Sequence, residues 1–204
     1  MKPVFLNPQH PKHCVAPTPD AIARLLRSGW VGQCKVNGHR AQSHVGVEGG
    51  VRTSHYFTRQ GTRHTAKVPQ PITAALECMF EPVESTWTVV DAEWQKEQGV
   101  FYLFDLLKLH GKSLDHLSFG QRHAFLSEIA ERLNPIGYDS VSLLPILTTV
   151  DACMSMLQNE SPAIEGLVFR SLNSKGFEDT AIVRCRKSGA VFTPQKTSLL
   201  KAER

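Results

Sequence analysis

Residues 34–42 read CKVNGHRAQ. Lys35 lies at the end of WVGQCKV (residues 30–36), an apolar run that reads as a strand, and it directly precedes Asn37-Gly38, a pair that tolerates positive φ and so signals a reversal of the chain. The spacing predicts a lysine held at a strand end, facing the mouth of a turn. Taken alone, lysine two places before Asn-Gly carries little, because a solvated strand-end lysine that snorkels to water accounts for it. Its companions along the chain decide the reading.

Working outward, RAQSHVGV, a turn at Glu48-Gly49-Gly50 and VRTSHYF continue as strands, so the spacing predicts a meander of hairpins with Lys35 before its first turn. Upstream, Pro3, Pro8, Pro11, Pro17 and Pro19 predict an extended arm running into a short helix, AIARLLRSG, capped by Asp20 and ended by Gly29. Downstream, Pro71 opens a helix over residues 71–84, with Ile72, Ala75, Leu76 and Met79 at helical spacing. The strands TWTVVDAEW and VFYLFDLLKL follow. A helix over 118–133 carries Phe125, Leu126, Ile129, Ala130 and Leu133 on one stripe and Gln121, Arg122, Glu128 and Glu131 on the other faces, and Pro135 and Gly137 close it. A short helix near 151–157 leads to two late strands, AIEGLVFR and AIVRCRK. Such mixed runs predict an α+β domain of mainly antiparallel sheets flanked by helices. The chain divides into an arm and short helix (1–28), the main domain (29–190) and a polar tail (191–204).

The composition excludes several classes. At 204 residues with 41% hydrophobic and 21% charged residues, the chain can bury a full core as one domain and is neither disordered nor fibrous. A formal charge of +4 permits a polyanionic partner without requiring one. The five cysteines are scattered and never C-x-x-C, which argues against a disulfide framework or a cysteine zinc site and for a reducing compartment. The amino terminus is broken by prolines before an apolar run develops, and no stretch reaches membrane-spanning length, so the expectation is a cytoplasmic protein without a membrane partner. None of the nine histidines shows the H-E-x-x-H spacing of a zinc enzyme.

Charged residues recur at the ends of the apolar strands. Asp91 and Glu93, two apart in TWTVVDAEW, share one face of their strand. Such a pair is most often an edge-strand solubility device. Glu165 precedes a glycine at the start of AIEGLVFR, and Arg184 and Arg186 share a face of AIVRCRK. Acids for a hard cation and guanidinium groups for phosphate oxygens are what a metal-assisted phosphate site needs.

In this order the pieces resemble the nucleotidyltransferase domain of ATP-dependent DNA ligases, in the superfamily that also holds RNA ligases and mRNA capping enzymes. Lys35 to Gln42, KVNGHRAQ, is similar to motif I, K-x-D-G-x-R-A-Q, and YFTRQG (56–61) resembles the S-R-x-G segment that follows it. VDAE (90–93) is similar to motif III, FYLFDLL (101–107) to the motif after it, EGLV (165–168) to motif IV, and Arg184-Cys185-Arg186 stands in the place of motif V.

The resemblance implies an ATP-grasp-like nucleotidyltransferase fold, with ATP and Mg²⁺ as cofactors and nicked DNA, or RNA, as partner. Lys35 would form a lysine-AMP phosphoramidate, pass AMP to a 5′-phosphate and leave a 3′-hydroxyl to seal the nick, as in DNA replication and repair. A free lysine, with a pKa of about 10.4, is neutralised at pH 7 only at a cost of roughly 4 to 5 kcal/mol. Arg184, Arg186 and bound Mg²⁺ are expected to supply the positive surroundings that lower it. Arg40 and Arg59 would contact the ribose or the phosphates of nucleotide and nick, Glu93 the ribose or metal, and Glu165 the metal. Phe104 would stack on adenine, the alternative being a core phenylalanine. Gln33 would read the adenine amino group, or is an ordinary exposed strand residue. Arg52, Arg59, Arg63 and Lys67, interleaved with Tyr56 and Phe57, suit a nucleic-acid backbone as they suit a solvated loop.

This sequence departs from the pattern in three ways. Motif V carries arginines where lysines are usual, and a guanidinium fork does not replace a compact ammonium. Asn37 replaces the aspartate of motif I, an exchange more at home among the RNA ligase relatives. The sequence ends soon after motif V, with no OB-fold domain, so the expectation is a minimal monomeric form, a fragment, or a chain that works with a partner or separate domain. Beside an active DNA ligase stand two alternatives: a degenerate ligase-like domain that only binds nucleotide or nucleic acid, and an RNA ligase.

Overall fold

A computed structural model of the chain describes residues 2–7, 10–132, 139–177 and 181–187. Leu133, Pro135 and Gly137, expected to finish and close a helix, and the expected tail at 191–204 lie outside the described residues. In chain order the elements are β1 (His13–Cys14), α1 (Pro19–Arg27), β2 (Trp30–Val36), β3 (His39–Glu48), β4 (Val51–Phe57), α2 (Gln70–Phe80), β5 (Trp87–Gln95), β6 (Val100–Leu109), β7 (Lys112–Ser113), α3 (Phe119–Glu131), β8 (Val141–Leu143), α4 (Val150–Gln158), β9 (Ile164–Ser171) and β10 (Ile182–Arg186).

These form an α+β fold of two sheets. The smaller has the order β1-β10-β9-β2, and the larger β4-β3-β5-β6-β7, with β8 added to β6. All neighbours are antiparallel except β1 on β10 and β8 on β6. Each sheet buries one face under helices. Ala41, Val45, Val90, Ala92 and Trp94 of the larger sheet pack in one core with Ile72, Leu76 and Met79 of α2 and Leu126 and Ile129 of α3. Leu167, Phe169 and Cys185 of the smaller sheet pack with Ile22 of α1 and Cys153 and Leu157 of α4. The faces turned away from these helices carry the charged residues.

The expected first hairpin is absent. β2 pairs with β9 and β3 pairs with β4 and β5, so at Asn37-Gly38 the chain crosses from one sheet to the other. Neither residue has positive φ. Gly38 is required for a different reason: a Cβ there would lie 2.8 Å from the carbonyl oxygen of Trp94 and 3.0 Å from Cγ of Glu93. The second expected turn forms as a two-residue loop, with Glu48 opposite Val51 and positive φ at Gly49 and Gly50.

The helices differ from expectation at their ends and in one face. Thr18, not Asp20, caps α1, its hydroxyl accepting from the Ala21 amide. α2 stops at Phe80 rather than residue 84, because Glu81 adopts a left-handed conformation. Ser118 caps α3 in a reciprocal capping box with Gln121. On α3 the buried face is Phe119, Arg122, His123, Leu126 and Ile129, while Phe125 is 44% exposed. Arg122 is drawn inward by Asp105 of β6, to which it makes a two-pronged salt bridge at 2.9 and 3.0 Å. Among the described residues no helix is long and apolar enough to cross a membrane.

Candidate active site

Strand register places the charged residues. Residues directly opposite in adjacent strands share a face, so Lys35, Gly166 and Arg186 form one row across β2, β9 and β10, and Gln33, Val168 and Arg184 the next. Cys34, Leu167 and Cys185 alternate to the helix side. Gly166 carries no side chain between the lysine and Arg186, and β10 backbone closes on it. It sits at φ +147, and a Cβ there would fall 2.2 Å from the carbonyl oxygen of Cys185.

The pairing slips by one residue at this point. Lys35 is opposite Gly166 and Val36 opposite Ile164, so Glu165 is the extra residue of a β-bulge. Bulges re-aim side chains, and here the Glu165 carboxylate forms a salt bridge with Nζ of Lys35, both groups partly exposed. Lys187, next to Arg186, turns away to the backbone oxygens of Asn159 and Ser161.

The larger sheet supplies the opposite wall. Arg40 lies opposite Glu93, and Gln42 opposite Asp91, which puts these four on one face. Arg40 makes a two-pronged salt bridge with buried Asp91, its Nε donating at 2.9 Å. Burial pushes the Glu93 carboxyl up to about 7, against the pull of the Lys35 and Arg40 charges. A second register slip leaves Phe104 unpaired between Leu103 and Asp105. The Arg40 guanidinium lies 5.2 Å from the centre of its ring, and that of Arg170 5.7 Å.

The two walls join at their inner end. Arg170 of β9 donates to Asp105 at 2.9 Å, beside Arg122. Burial works against the Asp105 charge, yet the Arg170 and Arg122 guanidiniums hold its carboxyl below the usual carboxylate range. The Gln33 amide donates to the Leu144 carbonyl at 3.3 Å. Gln33 is therefore buried, not an exposed strand residue, at 3% exposure.

Cleft, lysine and arginine walls invite comparison with known structures. No known family's sequence profile matches the chain, and no curated protein does. Solved structures do. Mycobacterial DNA ligase D complexed with ATP superposes with a TM-score of 0.62 at 20% identity, over 89% of this chain and 60% of that one. The ligase domain of Mycobacterium tuberculosis LigD gives 0.58 at 20% identity, over 84% and 58%. The ATP-dependent DNA ligase of bacteriophage T7, in complex with ATP, gives 0.52 at 13% identity, over 88% and 67%. The chain has the fold of a ligase nucleotidyltransferase domain. It spans about three-fifths of the length of the two mycobacterial structures.

Within this ligase-type fold, Lys35, Glu165, Glu93, Arg40 and Phe104 line one cleft, and Arg186 shares the lysine's row. Arg184 lies one row inward, its Nε donating to Sγ of Cys14 at 2.9 Å. Arg59 is exposed on the loop after β4, with its Nε toward His10 of the N-terminal arm. Arg52, Arg63 and Lys67 lie apart from the lysine, along edge strand β4 and its loop. Arg63 and Lys67 border a crevice of about 250 Å³ with His55, Tyr56 and His64. Among the described residues no group of three or more His, Cys, Asp or Glu gathers as a self-sufficient metal site. Glu93 and Glu165 offer two carboxylates, which suits Mg²⁺ in the manner it is commonly held, by one or two carboxylates together with substrate phosphates.

Sequence reasoning missed three participants. Asp91 fixes Arg40, Asp105 gathers the two buried arginines, and His10 meets both Arg40 and Arg59. The first two were visible as acids in strands but without partners; nothing local marks His10.

Proposed function

We propose that this chain belongs to the ligase nucleotidyltransferases and is an adenylyltransferase whose nucleophile is Lys35, with ATP as donor and the 5′-phosphate of nicked DNA as acceptor. The observation that carries this reading is the pairing of Lys35 with the bulged Glu165 across from Gly166, in a row that Arg186 extends. The bulge sets the Glu165 carboxylate against the amine, and such positioning is a large part of catalysis in phosphoryl transfer. Nζ, as the free amine, would bond to the α-phosphorus and pyrophosphate would leave. Arg186 and Arg184 would receive phosphate oxygens from the lysine's side, and Arg40, held by Asp91, from the opposite wall. Glu93 and Glu165 would hold Mg²⁺. Bound there, the ion would offset the charge of the phosphates.

Phe104 would offer its ring to adenine, with the Arg40 and Arg170 guanidiniums as its present neighbours. Gln33, already engaged with Leu144, would help hold the two walls together at the inner end of the cleft. Arg52, Arg63 and Lys67 would contact the nucleic-acid backbone. A second reading, an RNA acceptor, draws support from Asn37 and from a Naegleria gruberi RNA ligase that superposes with a TM-score of 0.50 at 14% identity.

The acceptor is tested by a chase. Protein labelled with α-labelled ATP and Mg²⁺ is mixed with nicked DNA, a nick with RNA strands, or intact duplex. Transfer of label to nicked DNA ahead of the others is expected; transfer to the RNA nick alone would replace DNA by RNA as acceptor.

A further inference from the structure

The larger sheet turns one more polar side chain into the cleft. Tyr102 of β6 is paired with Glu93 of β5, and Glu93 with Arg40 of β3, so the three form a row on one face. Alternation fixes which face this is, because Phe101 and Leu103, the chain neighbours of Tyr102, are buried in the core under α2 and α3. Ser142 of β8 lies on the other side of Tyr102 and adds only a short, exposed side chain. Two residues along β6, Phe104 turns its ring to the same cleft, where the Arg40 and Arg170 guanidiniums approach it.

The Tyr102 side chain is half-buried, and its hydroxyl makes no hydrogen bond among the described residues. A phenol joins an apolar ring to a polar tip that both donates and accepts. Partly withdrawn from water and beside a carboxylate, this one suits a ligand that carries hydroxyls. Its place in the cleft narrows the choice. The Lys35 and Arg40 charges act on Glu93, so the row of Tyr102 stands at the end where phosphate would bind. Phe104, which would take adenine, is two residues away, about 7 Å along the strand. Tyr102 thus stands where the sugar of a nucleotide would join its base to the α-phosphate. With Glu93 turned to the phosphate and metal end, the phenol is the neighbour left to meet a sugar hydroxyl.

We propose that Tyr102 is a specificity-determining residue of the nucleotide site: its hydroxyl hydrogen-bonds to a ribose hydroxyl of the adenylyl group and so favours ribonucleotides over deoxyribonucleotides. The inference deepens the adenylyltransferase reading and rests on it for the placement of base and phosphate.

The test measures equilibrium binding of AMP, 2′-deoxy-AMP and 3′-deoxy-AMP, which lack a pyrophosphate leaving group and so cannot adenylate the protein. The wild-type chain is expected to bind AMP more tightly than at least one of the deoxynucleotides, and the one concerned identifies the hydroxyl as 2′ or 3′. Tyr102→Phe keeps the ring and removes only the hydroxyl. It is expected to shrink the preference about fivefold, the effect of one neutral hydrogen bond. Tyr102→Leu, which removes ring and hydroxyl together, is expected to lose the same preference. A wild type that binds the three alike or binds none overturns the proposal, as does a folded variant of either kind that keeps the preference or weakens all three in proportion. Should Tyr102→Phe lose the preference in a chain that ATP never labels, Tyr102 stands as the sugar-reading residue and the adenylyltransferase reading falls. A chain that ATP labels, with the preference unchanged in Tyr102→Phe, gives the reverse.

Discussion

Gly166 holds the lysine and its carboxylate together without making a side-chain contact. Its φ of +147 is open to glycine and rarely to other residues, and backbone from β10 fills the place where a Cβ would stand. Gly166→Ala is therefore expected to destabilise the fold by about 3 kcal/mol or more, through strain and displacement of β10 together. Urea unfolding measures it; a loss under about 1 kcal/mol would mean that the bulge tolerates a side chain and does not fix Glu165. The sequence marks Glu165 as an acid before a glycine at the start of an apolar strand, and EGLV resembles motif IV. The sequence alone does not show that a one-residue slip in pairing turns that acid toward Lys35, since register depends on a strand far away in the chain. Gly38 shows the same limit from the other side. Asn-Gly suggested positive φ, whereas this glycine admits the Trp94 carbonyl, and both needs leave the same letter in the sequence.

At the scale of elements, the long strands were legible: β2, β4 and β6 fall at the residues expected from alternation and turn signals. β1, β7 and β8, with two or three residues each, carry too short a pattern to read. α3 was recognised with one face misassigned, because periodicity treats every arginine as polar. Arg122 is fully buried: Asp105 takes its charge, the Leu117 carbonyl takes another N–H at 2.9 Å, and the Phe177 ring lies 5.1 Å away. Removing one partner from a buried ion network costs about 3 to 5 kcal/mol, because the remaining charges stay buried. Arg122→Met is expected to fall in that range in denaturant unfolding, and a variant within about 1 kcal/mol of wild type would show that Arg170 alone satisfies Asp105. The network also has an acid signature. A carboxyl held below its unfolded value of about 3.9 contributes stability that is present above that pH and is lost as pH falls through the folded value. Arg122→Met should therefore lose less additional stability between about pH 4 and pH 2 than wild type does.

At the scale of the molecule, the two sheets meet at Asp105, Arg170, Gln33 and Leu144, and Lys35 from one and Arg40 from the other bring their charges to Glu93. The lysine and the arginine five residues after it stand on opposite walls because the chain changes sheets between them. Motif order along the sequence pointed to the fold without revealing this geometry, since order says which pieces are present and not which pairs face one another. The sequence predicts the arm as an extended lead-in; its contacts with Gln42 and Arg59 join residues more than thirty positions apart. We propose Lys35 as the nucleophile toward ATP. This is tested most directly by incubating the chain with α-labelled ATP and Mg²⁺, digesting it, and locating the adenylate by peptide mass spectrometry, beside folded Lys35→Ala protein. An acid-labile AMP adduct on Lys35, absent from the variant, is the predicted result. Folded wild-type protein that carries no AMP before or after incubation, or an adduct on another residue, would contradict the account.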